Sequence, residues 1–376
     1  MDKKHLLCVI LLGSLLISCQ QKKVQTNNTK PDSTAQVTYA KGFCIEYFAA
    51  YKRITVYNPW KKNTIYARYY LVKDKNTTVP NDGQKIKIPI QTIAPTSGTQ
   101  FEFLNLIGSL NSITGICTPK LIYNKVLLEK IQQHKLTDLG DPFSLNIEKV
   151  QLLHPDAVMV SGFNQEDPVS KRLMEYGTPV IFDNEWTENT LLARAEWIKF
   201  IASFYNKEQL ADGIFNHIAC NYIAIREKAK HVTKKPTVMC GGNFKGTWYM
   251  PGGKSNMAGL LADAGADYHY ANDTTKGSLP LNFEVALNNF RHADIWIGSS
   301  ANSIAELLNI DERHGLFDAA RNKQVFNFKG RVTPTGGNDF WESGTAHPDL
   351  ILADMIKIFH PDLMKNHALV YVRKLE

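Results

Sequence analysis

Two glutamates recur in matched settings. Glu148 lies in "LNIEKVQLLHPDAVMVSG" and Glu284 in "LNFEVALNNFRHADIWIGS". In each stretch an Asn and an apolar residue precede the Glu, a helical run follows, and an Asp opens an apolar, strand-like segment. The match is imperfect, because Asp156 follows its Glu by eight residues and Asp294 by ten. A first-turn acid complements the helix dipole in either place. Residues that could do covalent chemistry are less well placed. No GxSxG elbow occurs, and Ser161-Gly162 and Ser343-Gly344 are isolated. Glu166-Asp167 is a carboxylate pair with no partner spacing. His231, His269, His292 and His314 show no metal-ligand spacing, and HExxH is absent. His347 and His360 each precede a Pro-initiated helix. His347 reads either as a turn histidine or as an axial ligand to haem. "PGGKS" mimics a phosphate loop, but the pattern needs Gly at position 248, which is Trp. None of these arrangements pairs a nucleophile with a base. The enzyme reading that stays open is a chelatase-like or other anchored enzyme acting on a tetrapyrrole or metal complex, with His347 as its candidate residue.

The amino terminus is set apart from the fold. Lys3, Lys4 and His5 precede the apolar run Leu6–Ile17, which ends in Ser18-Cys19. This reads as a secretory signal over residues 1–18, and it resembles a lipoprotein lipobox with Cys19 as the lipidated residue. Residues 19–38 are polar and aperiodic, as in a flexible tether. The expected location is the periplasm, anchored to a membrane through lipid on Cys19.

The remaining chain exceeds the size at which one core usually stops growing, so two lobes are expected. The net charge is +7, with 43 Lys and Arg against 36 Asp and Glu. Those basic residues are scattered, and no nucleic-acid motif is present, so no nucleic-acid partner is expected. Cys44, Cys117, Cys220 and Cys240 are widely spaced without CxxC, which disfavours zinc and reads as buried thiols. A disulfide stays open to an exported chain.

Residues 39–85 hold two β-rich runs, "RITVYNPW" and "YARYYLV", which suggest a hairpin or edge ribbon. From Ile86–Ala94 onward, short apolar strands alternate with helices over residues 86–187. "AVMVS" is a fully apolar strand of the buried kind. Residues 188–232 lose the strand signal. There Leu210, Ile214, Ile218 and Ile225 fall on helical spacing within a helix over 207–230. The alternation resumes over 233–376. The fold class is therefore α/β: two doubly wound α/β lobes joined by one long α-helix, with an N-terminal β-rich extension.

This plan resembles the periplasmic substrate-binding proteins of ABC importers for ferric siderophores, haem or cobalamin. The resemblance runs from Ile86 to the C-terminus. It rests on the lipobox, the helix over 207–230, the matched Glu148 and Glu284 segments and the ending "GGNDFWESGTAHPDLILADMIKIFHP". It implies a monomer that binds a small-molecule metal complex between its lobes, without a cofactor of its own. It also implies that Glu148 and Glu284 dock on an ABC permease dimer with its ATPase. One exposed charge per lobe would steer and register that partner.

Ligands of such folds sit at the carboxyl ends of the parallel strands. That rule selects Thr96 and Ser97, Tyr123, Phe143, Phe163 and Asn164, and Trp186 in the first lobe. In the second it selects Trp248 and Tyr249 from "GGNFKGTWYMPGGKS", then Arg331 and Trp341. The aromatic rings would stack on a flat complex, and Arg331 would pair with its anionic groups.

Overall fold

A computed structural model describes residues 30–164 and 167–376. Cys19, the signal peptide and most of the tether lie outside the described residues, as does Glu166.

Residues after Lys30 open with a five-stranded sheet in the order Ser33–Thr34, Phe43–Tyr47, Lys52–Tyr57, Ile65–Val72 and Gln84–Lys87. Its first three pairings are antiparallel and its last is parallel. This is a fuller structure than the expected hairpin. The expected strand Ile86–Ala94 is in fact two strands in two sheets, Gln84–Lys87 and Ile93–Pro95. Pro89 divides them, because it has no N–H to give to a ladder.

The second sheet is wholly parallel, in the order Val180–Phe182, Ala157–Val160, Ile93–Pro95. Every residue of these strands is buried, as a sheet covered on both faces requires. The third sheet runs Val238–Cys240, Ile295–Ile297, Val325–Asn327 in parallel, with Arg373–Lys374 antiparallel at its edge. A small antiparallel meander, Asn243–Phe244, Thr247–Pro251 and Ser278–Leu281, sits beside it. Between the two parallel sheets lies the 22-residue helix Glu208–Ala229, about 33 Å long. The stretch before it is not one helix but two short ones, Leu191–Ala195 and Trp197–Ser203.

The matched segments are built the same way. Asn146 and Asn282 are N-caps whose side-chain oxygens accept from the Lys149 and Val285 amides at 2.9 and 2.8 Å. Glu148 and Glu284 occupy the exposed first turns. Asp156 then accepts from the Thr92 amide at 3.0 Å while Thr92 Oγ1 accepts from the Asp156 amide at 3.0 Å. Asp294 and Thr237 repeat this reciprocal pair at 2.8 and 3.0 Å. The repeated sequence is therefore a repeated way of starting a helix and stapling the next strand to its neighbour.

Buried carboxylates fix the N-terminal sheet. Glu196, fully buried, accepts from the backbone amides of Thr38, Tyr39 and Ala40 at 2.7 to 2.9 Å and pairs with Lys199 at 3.1 Å. Glu188 accepts from the Lys41 and Gly42 amides and from Trp197 Nε1 at 2.8 to 3.0 Å. Gln84 bonds both the N–H and C=O of Val180 at 2.8 Å, stitching this sheet to the edge of the parallel one. Not all four thiols are buried. Cys117 and Cys240 are, Cys44 is half-buried and Cys220 is exposed; none is paired.

Glu196→Ala strands three amides and leaves Lys199 only Asp212 and the Gln36 carbonyl as partners, and should cost about 3 kcal/mol. Urea unfolding measures the loss, and limited proteolysis should show new cleavage near residues 38–42. An unchanged midpoint would remove Glu196 from this anchoring role.

Candidate functional site

Carboxyl ends of the first parallel sheet meet at a pocket of about 270 Å³. Thr96, Ser97, Phe143 and Phe163 line it together, as does Cys117. The turn at Thr96-Ser97 is held from inside by Gln100, a fully buried side chain. Its Oε1 accepts from both turn amides at 3.1 and 3.2 Å, and its Nε2 donates to Ser161 Oγ at 3.4 Å. Phe143 and Phe163 meet edge to face at 5.2 Å, and Phe143 is 66% exposed. Large apolar rings left in water around a concavity mark a binding surface. Burial pushes the Cys117 thiol up to about 12, so it lines the pocket as a neutral thiol.

Asn164 and Trp186 adjoin this pocket. Trp186 Nε1 donates to the Gly162 carbonyl at 2.9 Å, and Gly162 N donates to Asn184 Oδ1 at 2.9 Å. Asp183, just before Asn184, is fully buried, and neither of its oxygens has a hydrogen-bond partner among the described residues. Burial, with Glu185 nearby, holds its carboxyl well above the usual range.

One contact that joins the C-terminal half to the first is made by a carboxylate. Glu342 accepts from the Tyr123 amide at Oε2 and from the Asn124 amide at Oε1, both at 2.8 Å. So Tyr123 enters the site through its backbone. A second contact, His347 Nε2 to Glu102 Oε1 at 3.1 Å, links the same two halves. His347 is thus a bridging residue rather than a free turn histidine. Trp341, 65% exposed, lines a neighbouring pocket of about 220 Å³ with Arg194, Met257, Phe328 and Phe340. Gly98 on the first pocket's wall is where the two pockets approach. A Cβ there would lie 3.7 Å from the Trp341 carbonyl oxygen.

The second half contributes less than expected. Trp248 is not a loop aromatic but the inward residue of the strand Thr247–Pro251, fully buried against Trp296 and Phe317, with Nε1 donating to the Cys240 carbonyl at 2.9 Å. It belongs to the core, and no ligand can reach it. Tyr249, next along the strand, points outward but lines neither pocket. Arg331 is half-exposed and paired with Asp339 at 3.2 Å, outside both pockets. Gln100 and Glu342 were missed by sequence reasoning, because neither sits in a pattern that singles it out. Larger concavities exist away from these turns. One groove of about 550 Å³ runs along the long helix beside His347. Another of about 870 Å³ lies near Pro236 and His360. Among the described residues no three or more His, Cys, Asp or Glu side chains converge as a metal site.

Burial, the larger influence, pushes the Glu342 carboxyl up to about 7, against the two amides that pull it down. Folding therefore favours the protonated form over a chain with the usual value of 4.5. That contribution is fully present below about pH 4.5 and is lost as pH rises through about 7. Urea unfolding should show stability falling by about 1 to 3 kcal/mol across this window. Glu342→Gln should flatten the fall; an identical slope in that variant would contradict the assignment.

The family model described as "Periplasmic binding protein" matches residues 93–332. An uncharacterized lipoprotein of Methanocaldococcus jannaschii is 25% identical, over 96% of this chain and 93% of its own length. A second lipoprotein of that organism is 25% identical over 96% of each. Among solved structures, similarity extends to a possible iron-binding, periplasmic solute-binding protein from Staphylococcus epidermidis ATCC 12228. Its TM-score is 0.56 at 19% identity, over 72% of this chain and 98% of that one. A periplasmic haem-binding protein from Pseudomonas aeruginosa gives 0.54 at 18% identity, over 76% and 98%. The family match begins at the first strand of the parallel sheet whose carboxyl ends build the pocket, and it covers more than half of the 376 residues: the chain belongs to the periplasmic binding protein family.

Proposed function

We propose that the chain is a lipid-anchored receptor that captures an iron complex, haem or cobalamin and delivers it to an ABC permease. The observation that carries this reading is the aromatic-rimmed pocket at the carboxyl ends of the first parallel sheet. Thr96, Ser97, Phe143 and Phe163 line it, with Asn164, Trp186, the Tyr123 backbone and Trp341 around it. Its lining mixes exposed rings with hydroxyl groups, which suits a ligand that has both a flat apolar face and polar edges. Similar proteins of solved structure, one named as possibly iron-binding and others as haem-binding, favour the same cargo class.

In this reading residues 86–187 and 233–376 act as two lobes, and the connector 188–232 holds them at a set spacing through the helix Glu208–Ala229. The segment 39–85 is an addition to the first lobe. Residues 1–18 are removed and Cys19 carries the lipid, with 19–38 as tether. Glu148 and Glu284 present one exposed carboxylate from each lobe to the permease. Among the described residues Glu284 carries only a loose contact to Arg313, at 3.9 Å, which leaves it exposed to a partner.

Tryptophan-fluorescence titration against haem, cobalamin and ferric siderophores tests the cargo. Saturable quenching by one of them is expected, and a flat response to all would overturn the reading. Glu148→Ala with Glu284→Ala should leave that affinity unchanged and abolish uptake in a transport assay. Loss of affinity in the double variant would place the glutamates at the ligand instead.

A further inference from the structure

The N-terminal sheet lies outside the matched family segment, which begins at residue 93. Solved structures covered over 95 to 100% of their own length by this fold leave about a quarter of this chain unmatched. Alignments to the two lipoproteins span 96% of the chain. The sheet is therefore outside the family segment, and its contacts show what it adds to the fold.

It reaches the pocket's rim. Tyr66, on the strand Ile65–Val72, donates from its hydroxyl to the Asn164 carbonyl at 3.1 Å and meets Phe182 edge to face at 4.8 Å. Gly162 sits directly against this junction. A Cβ there would lie 2.8 Å from the Tyr66 hydroxyl and 2.9 Å from Asn184 Oδ1. Trp60 stands 5.3 Å from the Tyr66 ring and 6.4 Å from the Trp186 ring. Its turn is preset, because Asn58 Oδ1 accepts from the Trp60 and Lys61 amides at 2.9 Å. Trp186 is tied in turn to Gly162, the neighbour of Phe163. Trp60 and Trp186 thus stand side by side near the turn that carries Phe163, and the three rings are 38, 43 and 43% exposed.

Such a group is costly to leave in water and rigid enough to receive a ring at small entropic cost. We infer that Trp60 and Tyr66 form a subsite of the crevice, which takes the flat π-face of a conjugated iron complex beyond the part seated on Phe163. This rests on the proposed receptor role. The N-terminal sheet is then a specificity element: it favours broad, planar cargo over compact complexes without an aromatic face.

The test is equilibrium titration of the mature chain and its Trp60→Ala and Trp60→Phe variants. The probes are haem and a ferric tris-hydroxamate, which has no aromatic face. Trp60→Ala should bind haem about tenfold more weakly. Trp60→Phe should recover most of that loss, and neither variant should change affinity for the hydroxamate. Wild-type affinity for haem in Trp60→Ala overturns the subsite and leaves the receptor role standing. Equal losses for both probes overturn it as well, since they report a structural role for the turn. Binding of the hydroxamate alone by the wild type overturns the preference for a flat cargo. Binding of neither probe overturns the subsite, and a flat response to cobalamin and the other ferric siderophores as well overturns the receptor role with it.

Discussion

A carboxylate supplied by one half of the molecule and bonded by backbone amides of the other sets the geometry on which the crevice depends. Glu342 has both oxygens occupied by the amides of Tyr123 and Asn124, so it fixes the spacing and the angle of approach together. Two bonds from two successive amides leave little freedom to slide. Burial raises the cost of the charge, and the amides offset part of it. The turn that carries Tyr123 follows directly on Leu121 and Ile122 of the pocket wall. Trp341 precedes Glu342 in the chain, so the same clasp sets where its exposed ring stands.

The same device is used elsewhere in the fold. Glu196 and Glu188 gather the amides of residues 38–42, and Asp354 gathers those of Val370, Tyr371 and Val372 at 2.7 to 3.1 Å. Asp156 and Asp294 staple neighbouring strands through Thr92 and Thr237. In each case a short acid satisfies backbone donors where a strand or turn has no ladder partner. The outcome is a scaffold whose loops are held from behind, so the residues at the strand ends need not spend their own hydrogen bonds on staying in place. Phe143, Phe163 and Trp341 are consequently free to face solvent.

Legibility followed how local the deciding interaction is. The starts of the helices Ile147–Leu153 and Pro348–Phe359 were legible, because an Asn cap opens one and a proline opens the other. The long helix was readable within a residue at each end from apolar spacing alone. Strand ends after "AVMV" and "PVIF" pointed to Phe163 and Trp186; Phe163 lies in the pocket lining and Trp186 bonds the Gly162 carbonyl. Trp248 was misread because glycines on both sides suggested a loop. The alternation in "TWYMP" was the better guide, since period two sends Trp248 inward and Tyr249 out. Pro89 hid a change of sheet inside an apolar run. Glu342 was beyond reach for a different reason: its partner lies 219 residues away, and no local pattern marks either end.

The central claim is one of place, that cargo is held where the strand ends meet the Glu342 clasp. Amide hydrogen exchange with and without saturating cargo tests it most directly. The account predicts added protection in peptides containing Thr96–Gln100, Thr118–Asn124, Ser161–Phe163 and Asn338–Glu342. Protection confined to the groove along Glu208–Ala229, or to the surface near Pro236 and His360, would contradict it.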